Sequence, residues 1–300
     1  MAYNLITILG PTATGKTHLA VRLAHSYSGE IISADSRQVY RGMDIGTGKD
    51  LNDYFGDGQK IDCHLIDIAD PKEEFNLFNF KQLFYKSYNK IKKSGKIPFL
   101  VGGTGLYLSS VVQNYSLKVA DRSDEKIKNL ESLDNDQLIH LLKSKKGKLH
   151  NITDLTDRSR MTEAIVIADS EVTYIGEEKI KSLNLGLHFP REIIKKRITE
   201  RLKKRLNEGM IEEVETLINN GISHDKLMFF GLEYKYISLY LKGELNYNDV
   251  FQKLNSAIHN FAKRQMTWFR KMEKEGVKIF WINGNDFDEA KKIIDVNFFS

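Results

Sequence analysis

The chain has 300 residues, 41% hydrophobic and 28% charged, with 4 prolines and 21 glycines; this ordinary globular usage excludes disordered, collagen-like and low-complexity classes. Cys63 stands alone, which excludes an intrachain disulfide framework and a cysteine-rich zinc site and points to a reducing compartment. The net charge of +5 makes the placement of positive charge worth following.

At the N-terminus, Leu5 to Leu9 is too short an apolar run for a signal segment or a membrane span, so a cytoplasmic protein with no membrane association is expected. Asn4 to Leu9 predicts a strand ended by Gly10-Pro11, and Thr17 to Ala24 carries Leu19, Ala20 and Leu23 at helical spacing. Comparable apolar runs at Glu30 to Asp35, His64 to Ile68, Pro98 to Gly103, Leu183 to Phe189 and Lys278 to Ile282 predict further strands, several separated by helical patterns such as Phe78 to Lys93. Continuously apolar strands alternating with helices give an α/β fold: a P-loop NTPase-like parallel sheet with helices on both faces. Between Gln113 and Ser182 the spacing is interrupted by polar helical segments, Asp124 to Leu130 and Asp134 to Lys143. Residues 113–182 therefore read as a small helical insertion in a core made of 1–112 and 183–300. Two long helical stretches, Arg191 to Asn220 and Tyr247 to Glu275, precede the last strand.

Gly10-Pro11-Thr12-Ala13-Thr14-Gly15-Lys16-Thr17 satisfies G-x-x-x-x-G-K-[ST] between a strand and a helix. Backbone N–H groups and the helix N-terminus suit phosphate oxygens, Lys16 neutralises charge and the Thr17 hydroxyl suits Mg²⁺. The loop alone does not distinguish a nucleoside triphosphate such as ATP from a simple diphosphate.

The next strand ends in Asp35-Ser36-Arg37-Gln38-Val39-Tyr40-Arg41-Gly42-Met43-Asp44-Ile45-Gly46-Thr47-Gly48-Lys49. With the first loop, this stretch resembles the tRNA dimethylallyltransferases (isopentenyl-tRNA transferases). The resemblance continues through His64 to Asp67, Gly102 to Tyr107, Gly209 with Glu212-Glu213-Val214, and Ala262 to Arg270. It implies transfer of the dimethylallyl group of dimethylallyl diphosphate to the exocyclic N6 amine of the adenine next to the tRNA anticodon. Diphosphate leaves, with Mg²⁺ as cofactor, and ATP is not consumed. It further implies Asp35 as the base, with a Walker-B-like Mg²⁺ ligand or a helix N-cap as its alternatives, and Thr104 at the diphosphate or as a capping residue. Ser36 and Gln38 face the target base beside Arg37, and Arg197 and Arg201 serve the diphosphate. A monomer acting on the anticodon stem-loop is expected.

Arg197, Arg201 and Arg205 repeat at i, i+4 and i+8 in a basic segment, and composition alone favours a solvated face there. Arg205 falls where the family is usually apolar and receives no site role. In the segment Phe261 to Arg270, the aromatic residues Phe261, Trp268 and Phe269 read as core. Lys263, Arg264, Gln265 and Arg270 are left to meet RNA. His64 and His259 read as structural. The insertion is short for the family, and Glu163 stands where an arginine is usual. Arg158 and Arg160 are therefore expected as compensating tRNA contacts. The rival readings are a small-molecule kinase or NTPase, which leaves the Asp35–Tyr40 and Lys263–Trp268 blocks unexplained, and a non-catalytic RNA-binding protein with a vestigial loop.

Overall fold

The computed structural model describes residues 3–49, 51–56, 59–118, 129–130, 132–145, 158–168, 172–173 and 178–299. The chain divides into two compact units, Met1–Asn114 with Lys179–Ser300, and Tyr115–Glu178.

The first unit is built on six strands: β1 (Leu5–Leu9), β2 (Gly29–Ala34), β3 (Cys63–His64), β4 (Ile97–Gly102), β5 (Ser182–His188) and β6 (Ile279–Asn283). All pair in parallel, in the order β6-β5-β1-β4-β2-β3. β1 and β2 are buried along their whole lengths, as strands covered on both faces must be. On one face, Ile6, Ile8, Phe99 and Leu185 pack against Leu19, Leu23, Ala290 and Ile294 from α1 (Lys16–Ser26) and the last helix, Phe287–Asn297. Elsewhere in the unit, Phe80 of α2 (Leu77–Lys93) stacks at 4.0 Å on Tyr107 of α3 (Gly105–Val112).

The strand expected over His64 to Ile68 shrinks to β3. Leu65 and Asp67 take positive φ, 66° and 54°, which ends pairing and turns the Asp67 carboxylate toward the Lys49 ammonium. The helical stretch from Arg191 is likewise two helices, α4 (Arg191–Asn207) and α5 (Met210–Asn219), because Gly209 between them adopts φ 99°. In that left-handed region a side chain is strained and a helix cannot continue. α6 (His224–Phe229) and α7 (Leu232–Leu241) follow, then α8 (Tyr247–Lys274). Ile198, Leu202, Val214, Tyr234, Leu254 and Ile258 of these helices close over Val39, Tyr40 and Met43 in a second core.

In the second unit, helices Asn135–Lys145 and Arg158–Ala168 bury Leu138, Leu142, Met161 and Ile165 against one another. An antiparallel pair, Leu117–Lys118 with Val172–Thr173, accompanies them and is too short to leave a period in the sequence. Most of the stretch Asp124 to Leu130 lies outside the described residues. At the edges, Asn114 exchanges bonds of 2.9 and 2.8 Å with the backbone of Ile180, and Ser182 opens β5, so these positions belong to the first unit rather than to an insertion. Among the described residues no helix is long and apolar enough to cross a membrane.

Candidate active site

The carboxyl ends of β1, β2 and β4 open on a cavity of about 840 Å³, at the rim where parallel-sheet sites form. Thr12 to Thr17 line it, with Gly15 as the N-cap of α1 at φ 76° and no side chain capping the helix. The first-turn N–H groups are thus open to an anion. Gly10 and Pro11 do not line the cavity. Pro11, which has no N–H, instead presents its carbonyl to Lys16 Nζ and Thr14 Oγ1, both at 2.8 Å. Burial and the neighbouring Arg201 guanidinium push the Lys16 ammonium down to about 8, with Asp35 partly offsetting them.

Beyond β2 the chain turns rather than entering a helix, so the N-cap alternative for Asp35 is not realised. Asp35 Oδ1 accepts the amides of Arg37 at 2.9 Å and Gln38 at 3.4 Å. Thr104 precedes α3 without a side-chain cap; its hydroxyl oxygen accepts the Ser36 amide at 3.1 Å, which joins the ends of β2 and β4. Gln38 Nε2 donates to the Gly48 carbonyl at 3.0 Å and its Oε1 accepts from Ser33 at 3.3 Å, fixing which way the amide faces. Asp35, Ser36, Arg37, Gln38 and Thr104 all line the cavity.

Arg197, Arg201 and Arg205 line it as well, while Lys196, Lys203 and Lys204 of the same helix are exposed. The i, i+4, i+8 face is therefore turned inward, and the solvated-face reading fails for these three. Arg197 Cζ sits 4.2 Å from the Phe189 ring centroid, and Arg201 donates to the Thr12 hydroxyl. Arg205, given no role from sequence, is 7% exposed, with its guanidinium against Gly48. A Cβ at Gly48 would lie 1.8 Å from Arg205 Nη2, so only glycine permits that approach.

The loop carrying Gly46 to Gly48 is held from a distance. Glu213 on α5 accepts the amides of Asp44 (2.8 Å), Ile45 (2.6 Å) and Gly46 (3.0 Å), and the Tyr234 hydroxyl at 2.7 Å. Lys49, fully buried, donates to the Tyr40 carbonyl, Asp44 and Asp67. Glu213→Ala leaves four donors without their acceptor and is expected to cost about 2 to 4 kcal/mol of stability. Urea unfolding measures this, and an unchanged midpoint would remove the anchoring role.

On α8, Gln265, expected to meet RNA, belongs to the cavity lining rather than to the exposed face. The residue is 7% exposed; its Oε1 accepts from Thr12 N at 2.8 Å and its Nε2 donates to the Gly103 carbonyl at 2.9 Å. These two bonds pin the phosphate loop to the β4 end and engage the Thr12 N–H. Phe269 is buried, as expected of core, whereas Trp268 is half-buried and lines the cavity, its Nε1 donating to Ser109 at 2.7 Å. Phe261 departs from the core reading: it is 38% exposed and lines the cavity with Arg264, whose Cζ lies 5.9 Å from its centroid. Lys263, Arg264 and Arg270 are exposed. His64 pairs with Glu30 at 2.7 Å and His259 with the Lys195 carbonyl at 3.3 Å. In the second unit Arg158 bonds Asn135 Oδ1 at 2.9 Å and the Leu133 carbonyl at 2.5 Å. The side chains of Arg160 and Glu163 lie outside the described residues.

Residues 38–272 match the sequence model of the family described as IPP transferase, and residues 3–65 match that of isopentenyl transferase. The chain is 48% identical over 301 residues to tRNA dimethylallyltransferase 1 of Geotalea uraniireducens, covering 99% of each. It belongs to the IPP transferase family. Among solved structures, the tRNA isopentenylpyrophosphate transferase of Bacillus halodurans superposes with a TM-score of 0.70 at 32% identity, over 99% of this chain and 95% of that one. A eukaryotic dimethylallyltransferase acting on tRNA shares the fold, with a TM-score of 0.78 at 22% identity over 98% and 78%.

The IPP transferase match spans Gln38, Thr104, Arg197, Arg201, Arg205 and Glu233 alike. Glu233, absent from the sequence reading, lines the cavity near Arg205 and Arg201, and burial raises its carboxyl despite both cations. Arg205 had a signal, since it continues the four-residue repeat of Arg197 and Arg201. Glu233 had none: its neighbours in sequence, Leu232 and Tyr234, gave no pattern that points a carboxylate at a site.

Proposed function

We propose that the protein transfers the dimethylallyl group of dimethylallyl diphosphate to the N6 amine of the adenine adjacent to the anticodon in tRNA, releasing diphosphate, and acts as a monomer. The observation that carries this reading is one cavity lined both by cations and by a carboxylate beside a fixed amide. Lys16, Arg197, Arg201 and the open N-terminus of α1 suit a diphosphate. Asp35 and Gln38 suit the edge of an adenine, which presents a donor and an acceptor side by side.

In the transfer, the bond between N6 and the allylic carbon forms while that carbon's bond to the diphosphate oxygen breaks. The N6 proton passes to the Asp35 oxygen not bonded to the turn. An aryl amine is a weak nucleophile, so a positioned carboxylate in hydrogen-bond reach is worth a large factor in rate. Charge growing on the leaving oxygen would be met by Lys16, Arg197 and Arg201, which line the same cavity. Thr104 accepts the Ser36 amide and donates weakly to the Ser36 hydroxyl at 3.5 Å, a bond it would exchange for one to a diphosphate oxygen.

Thr17 and Asp35, both on the cavity wall, offer the hard oxygen donors that Mg²⁺ prefers, and that cation usually completes its shell with substrate phosphates and water. Thr17 would hold it, and Mg²⁺ would supply neutralisation of diphosphate charge.

Labelled dimethylallyl diphosphate and bulk tRNA test the reading: label is expected in RNA without ATP. Transfer that needs ATP, or stoichiometric ATP hydrolysis, would overturn it. For the RNA itself, exposed Lys263 and Arg264 are assigned to backbone phosphates together with Arg270, and Arg158 and Arg160 of the second unit are assigned to tRNA as well. Replacing Lys263 and Arg264 together by alanine should weaken tRNA binding and flatten its log–log salt slope by about 0.7 to 0.9 for each phosphate no longer neutralised. An unchanged slope places that segment off the RNA.

A further inference from the structure

We propose that Phe229, backed by Arg37, is a stacking platform for the nucleobase that flanks the target adenine. The proposal rests on the tRNA reading above and deepens it by assigning a second base-binding position outside the cavity.

Phe229 ends α6 and is 59% exposed, an expensive placement for a phenyl ring. It is not a loose surface residue. Its neighbour Phe230 is fully buried and meets the rings of Tyr40 at 4.8 Å and Tyr234 at 6.4 Å, fixing the chain on both sides. Phe230 and Gly231, which follow it in the chain, line the cavity. The Arg37 guanidinium lies 5.0 Å from the Phe229 ring centroid. Arg37 also lines the cavity, and its amide is held by Asp35 Oδ1 at 2.9 Å. The turn that sets the proposed base thus also sets the cation under the ring.

An adenine drawn into a cavity leaves its stack, and its neighbours lose a stacking partner. Proteins that bind such splayed single-stranded bases offer aromatic rings and guanidinium planes, because every base has a π face. An exposed phenyl ring with a cation beside it, two residues along the chain from the carboxylate assigned to N6, supplies both. The positive charge favours a polyanion over a second protein surface as the occupant.

The test uses an anticodon stem-loop RNA, with wild-type, Phe229→Leu and Phe229→Trp enzymes. Phe229→Leu is expected to lower kcat/KM for RNA about tenfold while leaving the KM for dimethylallyl diphosphate unchanged, and Phe229→Trp to restore it. Removing the base on one side of the target adenine should bring wild type down to the Phe229→Leu level, after which the substitution has no further effect. Equal losses on intact and abasic RNA would show that Phe229 only props Arg37, and no loss on intact RNA would remove the platform; either result overturns the proposal. A 2-aminopurine at the flanking position gives a readout that needs no chemistry. Its fluorescence should be quenched on binding wild type and not Phe229→Leu, and identical quenching in both would also overturn the proposal. A wild-type enzyme that binds RNA with this quench yet prenylates none would sink the transfer reading and leave the platform standing.

Discussion

Asp35→Asn is expected to lower the single-turnover rate of prenyl transfer by about 10²- to 10⁴-fold, with diphosphate and tRNA affinities changed by only a few-fold. The geometry makes this substitution informative. One carboxylate oxygen accepts the Arg37 and Gln38 amides, and asparagine offers the same acceptor in the same place, so the turn that orients Gln38 and Arg37 survives. The other oxygen becomes an amide nitrogen, which donates and cannot take a proton from N6. Asp35→Ala loses both oxygens and should add a loss of tRNA affinity as the turn relaxes. The two variants therefore separate positioning from proton transfer. A single-turnover rate for Asp35→Asn within a few-fold of wild type would move the base elsewhere, and Glu233, which lines the same cavity with its carboxyl raised by burial, would be the next group to replace.

The features readable from sequence were those set by neighbours along the chain. The phosphate loop needs only eight consecutive residues, and the parallel strands announce themselves because burial on both faces leaves uninterrupted apolar runs. What escaped was set by distant segments meeting in space. Glu213 reaches the amide of Asp44 across 169 residues, and no local pattern tells an anchoring glutamate from the solvated glutamates beside it. Gln265 sits among Lys263, Arg264 and Arg270 and looks like one more polar group for RNA. Helix geometry instead turns it inward, onto Thr12 and Gly103. Arg205 was set aside because its position is usually apolar, yet the structure gives it a buried place that only the glycine at position 48 leaves room for. The strand at Cys63–His64 is shorter than its sequence suggests because Leu65, Ile66 and Ile68 look like strand residues, while the positive φ of Leu65 and Asp67, which accompanies the bond from Lys49 to the Asp67 carboxylate, leaves no local pattern.

The second large effect concerns Lys16 and is read in pH. In the free protein its ammonium is depressed from 10.5 to about 8, first by burial, then by Arg201, against a smaller opposing pull from Asp35. Below that value the side chain is charged and attracts a diphosphate; above it the free enzyme holds a neutral amine and loses that attraction. Because kcat/KM reports the free enzyme, kcat/KM for dimethylallyl diphosphate should be level below pH about 8 and fall about tenfold per unit above it. The bound diphosphate favours the charged amine, so kcat should hold to higher pH. Stability moves in the opposite sense. A lysine whose folded value lies below its unfolded one penalises the fold while both states are protonated, and the penalty lifts between about 8 and 10.5. Over this window Lys16 should make the free protein more stable just as diphosphate use declines. Lys16→Met should lower kcat/KM for the diphosphate by about 10²-fold and abolish the break, while Lys16→Arg should keep its charge and carry the level region past pH 9. A break near 8 that persists in Lys16→Met belongs to another group and would take Lys16 out of the diphosphate's binding charge.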